Sequence, residues 1–92
     1  MSERIFKYAL AAVETQILRM PADHKILCVQ LKDGEPYLWA EICGPLTEPF
    51  VEQVIHVYPT GKEVDRLKGK YIGTIQPPGG LFESLVFHVY AE

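Results

Sequence analysis

Lys25 to Ile42 reads KILCVQLKDGEPYLWAEI, two apolar-rich runs hinged on Asp33-Gly34. A tight two-residue hairpin turn needs positive φ at both central positions, which Asp tolerates and Gly favours. Centring the turn there sets Lys32 opposite Glu35, Gln30 opposite Tyr37, Val29 opposite Leu38, Cys28 opposite Trp39 and Leu27 opposite Ala40. Side-chain parity then gathers Leu27, Val29, Leu31, Pro36, Leu38, Ala40 and Ile42 on one face, with only Lys25 out of character at the open end. Ile26, Cys28, Gln30, Tyr37, Trp39 and Glu41 take the other face, which is mixed. A slip of one residue turns the apolar set into water, so the register is strongly specified.

Outward from the hairpin, the same alternation continues. Arg4–Leu10 sets Phe6, Tyr8 and Leu10 against Ile5, Lys7 and Ala9, and Thr15–Met20 is a second strand stopped by Pro21 and a polar Ala22-Asp23-His24 turn. Gly44 to Pro49 is a loop, because Pro45 and Pro49 exclude both a helix interior and a central strand. Phe50–Tyr58, Lys70–Gln76 and Leu85–Tyr90 read as strands, Glu63–Leu67 as a single helical turn, and Pro77-Pro78-Gly79-Gly80 as a loop able to serve as a flap or a plain connection. The expected fold is all-β and mainly antiparallel: one domain over 1–92, a small sandwich or barrel of about seven strands.

Composition narrows the function classes. The chain has 92 residues, 48% of them apolar, and a net charge of −3. So small a domain buries roughly 60–65% of its unfolded surface, and a homo-oligomer, a dimer by preference, is the expected state. The acidic balance disfavours nucleic acid as partner, since phosphate binding calls for a basic excess. Charge is unevenly spread: Asp33 to Gln53 holds five acidic residues and no Lys or Arg, while Lys62, Arg66, Lys68 and Lys70 cluster later. Solvated surface charge is the plainer account of that split, a protein-binding patch the functional one. Cys28 and Cys43 stand too far apart along the hairpin to pair, so reduced thiols in a cytoplasmic protein are expected. No apolar run has the length of a membrane span, and MSERIFKYALAA lacks the apolar stretch of a signal peptide.

Chemistry-bearing residues are few. Ile55-His56-Val57-Tyr58 and Phe87-His88-Val89-Tyr90 share the letters His-Val-Tyr, and with the preceding Val54 and Val86 the match reaches four positions of five. Parity puts His56 with Tyr58 and His88 with Tyr90. Should the two strands share a sheet, two imidazoles and two phenols make a patch able to stack on a flat ring and hydrogen-bond its edge. The plainer reading is the wet side of a one-sided sheet. Lys62, in Thr60-Gly61-Lys62, is the cation placed to meet an anionic group, although a full phosphate loop is missing. Tyr37 and Trp39 mark an aromatic face to be covered by the chain itself or by a second subunit. His24, His56 and His88 lie on separate segments without ligand spacing, so neither a metal nor any other cofactor is expected. Neither Ser84 nor Cys43 is paired with a base, which argues against an enzyme.

The ordered set Ile5-Phe6-Lys7-Tyr8, Ile26 to Gln30, Gly34 to Ala40, Thr60-Gly61, Tyr71-Ile72-Gly73-Thr74, Gln76 to Gly80 and Leu85 to Tyr90 resembles a family of small proteins of unknown function encoded by bacteriophages and prophages. The resemblance spans nearly the whole chain except Cys43 to Gln53. It implies a phage accessory protein in the host cytoplasm and carries no catalytic residues with it. Two functions are then in play. One is a binding protein that blocks a host defence protein or sequesters a nucleotide-like ligand through His56, Tyr58, Lys62, His88 and Tyr90. The other is a structural or virion-associated component with no small-molecule ligand.

Overall fold

The computed structural model describes residues 3–44, 46, 49–78 and 86–92. Seven strands form in chain order: β1 (Glu3–Ala9), β2 (Thr15–Pro21), β3 (His24–Lys32), β4 (Glu35–Cys43), β5 (Phe50–Pro59), β6 (Lys70–Ile75) and β7 (Phe87–Ala91). They build two antiparallel sheets, β1-β4-β3 and β2-β5-β7-β6, stacked as an open sandwich and not closed into a barrel. Gly79, Gly80, Ser84 and the expected strand start at Leu85 lie outside the described residues, as do three positions of the Gly44–Pro49 loop.

Asp33 (φ 53°) and Gly34 (φ 80°) form the tight turn, with Lys32 opposite Glu35 and Val29 opposite Leu38 as parity requires. The expected Leu27–Ala40 pair does not form. A bulge between Ile26 and Cys28 sets Ile26 opposite Ala40 and His24 opposite Ile42. The physical reason is Lys25: an unbroken ladder would hold its ammonium on the core face, and one extra residue flips parity so that Ile26 goes in instead. Leu27 pays with 41% exposure.

Leu38, Ala40 and Ile42 from β4 and Ile55 and Val89 from the facing sheet are fully buried at the centre of the core. The sheets come closest at β3 and β6, where a Cβ added to Gly73 would stand 2.8 Å from Val29 Cγ1. A second bulge, between Tyr71 and Gly73, lies on that same strand.

Glu63–Leu67 forms no helical turn. Five residues cannot repay helix nucleation, and positive-φ glycines at Gly61 and Gly69 turn the chain at either end of this stretch. The segment instead crosses the outer face of the four-stranded sheet, where Lys68 N–H donates to Tyr58 Oη at 3.1 Å.

Candidate functional site

β5 and β7 are antiparallel neighbours, so the two His-Val-Tyr tripeptides run against each other. His56 pairs with Tyr90, Val57 with Val89, and Tyr58 with His88. Identical letters in opposite directions generate a local two-fold about the Val57–Val89 pair: both valines point into the core, and both His-Tyr couples point outward. The tyrosines meet on the diagonal, Tyr58 against Tyr90 edge-to-face with centroids 5.5 Å apart. His56 stacks on Tyr58 at 5.9 Å, and Tyr71 of β6 meets Tyr90 edge-to-face at 5.6 Å.

The pseudo-symmetry extends to the flanking strands. Thr15 of β2 stands opposite His56 and Thr74 of β6 opposite His88, with hydroxyls 3.1 and 3.0 Å from the respective Nδ1 atoms. Each imidazole uses its other nitrogen differently. His56 Nε2–H donates to the Glu92 carboxylate at 3.1 Å, so its Nδ1 accepts from Thr15. Thr60 spends its proton on the Val86 carbonyl (3.2 Å) and so accepts from His88 Nε2–H at 2.6 Å. His88 Nδ1 then accepts from Thr74, which accepts from Tyr71 O–H at 2.6 Å. Every proton in the line from Tyr71 to Val86 has one direction, and such chains strengthen their members.

The two halves differ in access. His56 and Tyr58 are buried beneath residues 64–68. His88 and Tyr90 are partly open, and Tyr71 is 52% exposed. Lys62 is not part of this group: its ammonium pairs with Glu14 at 3.0 Å and borders a separate cleft of about 420 Å³ at the hairpin end of the sandwich. Thr15, Thr60, Tyr71, Thr74 and Glu92 escaped the sequence reading. Cross-strand register alone identifies Thr15, Tyr71 and Thr74, and register is the one quantity a single strand does not encode.

Tyr37 and Trp39 lie on the outer face of the three-stranded sheet, half-buried. The Lys7 ammonium sits 4.8 Å from the Tyr37 ring centroid, and Trp39 Nε1 is buried without an acceptor among the described residues. Cys28 and Cys43 are both free thiols. Partial burial, then the charges of Asp23, Glu41 and Glu3, push the Cys43 thiol up from its ordinary value, and its S–H points to Glu41 Oε1 at 3.7 Å. Among the described residues no group of three or more His, Cys, Asp or Glu is placed to hold a metal ion, and no helix is long and apolar enough to cross a membrane.

A family model of a domain of unknown function, DUF7352, matches residues 1–92. The chain belongs to that family. No curated protein and no solved structure matches it. The match shows membership of a family of unknown function over residues 1–92, and says nothing of a phage origin.

Proposed function

We propose that this chain is a non-catalytic binding protein whose ligand is a flat, nucleotide-like molecule held on the exposed half of the four-stranded sheet. In the setting implied by the phage resemblance, it works in the host cytoplasm and withdraws such a molecule from a defence response. The observation that carries this reading is the Tyr71–Tyr90–His88 surface. Tyr71 is an accessible ring braced edge-to-face on Tyr90, with its hydroxyl fixed through Thr74 to His88. A fixed aromatic plane is what a planar ligand needs, since stacking is worth roughly 1–3 kcal/mol per base and ordering the ring costs nothing further. The buried His56 and Tyr58 act as the platform's foundation and not as contacts. Both imidazoles spend both nitrogens on neighbouring groups, which favours binding over acid–base chemistry.

Mass spectrometry of the purified protein after denaturation, with thermal shift across mono-, di- and cyclic nucleotides, tests it. A shift for at least one nucleotide, lost in Tyr71→Ala, is expected. No retained molecule and no shift across the panel overturns it.

A second reading, an assembly component, draws support from the opposite end of the same face. Ile17 and Phe50 are exposed there, with the Arg19 guanidinium 5.7 Å from the Phe50 ring centroid. Presence of the protein in purified particles favours that reading.

A further inference from the structure

We infer that the seam where β3 and β6 both bulge is an anion site, built for the phosphate of a ligand whose ring lies on Tyr71. The phosphate site rests on the seam itself, and only the identity of the phosphate's carrier rests on the proposed function. The two bulges face each other across the edges of the two sheets, one between Ile26 and Cys28, the other between Tyr71 and Gly73. Bulges at sheet edges re-aim side chains and interrupt pairing, and here they flank a cleft of about 380 Å³. His24, Lys25, Gln53, Lys70, Tyr71 and Glu92 are among its lining residues.

The lining holds two lysines and one acidic side chain. Neither Lys25 nor Lys70 forms an ion pair among the described residues, although Glu41 is the cross-strand neighbour of Lys25. His24 offers the cleft no free donor, because both its nitrogens are spent within the fold. Its Nδ1 lies 2.6 Å from the Pro21 carbonyl and its Nε2 2.9 Å from Gln53 Oε1, two oxygens that only accept. The Gln53 amide nitrogen is spent as well, donating to Glu92 O at 2.7 Å. The carboxylate in the cleft, Glu92, accepts a hydrogen bond from His56 at 3.1 Å. Tyr71 belongs to both the cleft and the aromatic platform, so a molecule with a ring and a phosphate spans the two.

Calorimetric titration separates the parts: pyrophosphate carries the charge without a ring, and adenosine carries a ring without the charge. Wild type is expected to bind pyrophosphate with an affinity that falls steeply with salt. Lys25→Gln and Lys70→Gln each weaken it about tenfold, the size of one lost charge-assisted hydrogen bond. Tyr71→Ala leaves pyrophosphate unaffected and abolishes adenosine binding. Both lysines are exposed, so the variants keep the wild-type melting profile. Pyrophosphate that fails to bind wild type, or binds the lysine variants equally well, overturns the anion site. Adenosine without pyrophosphate binding spares the platform alone; pyrophosphate without adenosine binding spares the seam alone.

Discussion

At the scale of single residues, two positions carry consequences out of proportion to their size. Gly73 is where the sheets press closest, and its missing Cβ is the space that Val29 Cγ1 occupies. Val29 is buried and β-branched, so it has little freedom to turn aside. Gly73→Ala is therefore expected to destabilise the fold by about 1–3 kcal/mol, as overpacking does. Urea unfolding measures it, and the Val29→Ala background should recover part of the loss; equal losses in both backgrounds would show that the clash is not the cause. Cys43 is the second. Its thiol lies among Asp23, Glu41 and Glu3, all of which disfavour a thiolate. Since the thiolate is the nucleophile, Cys43 should react with a disulfide reagent near pH 8 several-fold more slowly than an ordinary thiol. Glu41→Gln removes one charge and one hydrogen-bond acceptor, and should speed the reaction; an unchanged rate would leave access, not charge, in control.

At the scale of elements, the hairpin explains what was legible in the letters and what was not. Strand parity and Asp33-Gly34 yielded the pairs from Lys32–Glu35 to Cys28–Trp39, because both are local properties. The Leu27 bulge was not found, yet Lys25 on an otherwise apolar face was its signature. A charged residue at the end of a buried row asks for a parity flip before it. Lys62 stands apart from the His-Tyr rows for a different reason. Its partner Glu14 is distant in sequence, and nothing in Thr60-Gly61-Lys62 points toward it. The His-Tyr rows came out correctly on the condition that their strands pair, and the threonines beside them required a register that only the folded sheet supplies. The bulge offers a direct test. Deleting Leu27 leaves Ile26 next to Cys28, restoring an unbroken ladder with Ile26 still opposite Ala40. The shortened chain should unfold cooperatively with stability within about 1 kcal/mol of wild type, the effect of a change at an exposed position. A collapse in stability would mean that Leu27 bears load in the seam beyond its place in the ladder.

At the scale of the whole molecule, the question is what holds two thin sheets in one orientation when their Cα envelope is only 15 Å deep. The apolar core supplies adhesion without direction. Direction comes from polar ties between the sheets at the seam end. His24 on β3 reaches Gln53 on β5 at 2.9 Å, and Gln53 reaches the Glu92 backbone at 2.7 Å. That line joins the three-stranded sheet to the central strand of the other and to the end of β7. Each bond contributes roughly 0.5–1.5 kcal/mol net, but removing one partner strands the other in a half-buried position and costs more. His24→Ala and Gln53→Ala should each lower stability by about 1–2 kcal/mol. The double variant should then lose less than the sum, because the second substitution removes the group that the first had orphaned. Equilibrium unfolding of the four proteins gives the coupling directly. A coupling near zero would assign the sheets' alignment to the Gly73–Val29 contact, where shape and not hydrogen bonding fixes the angle.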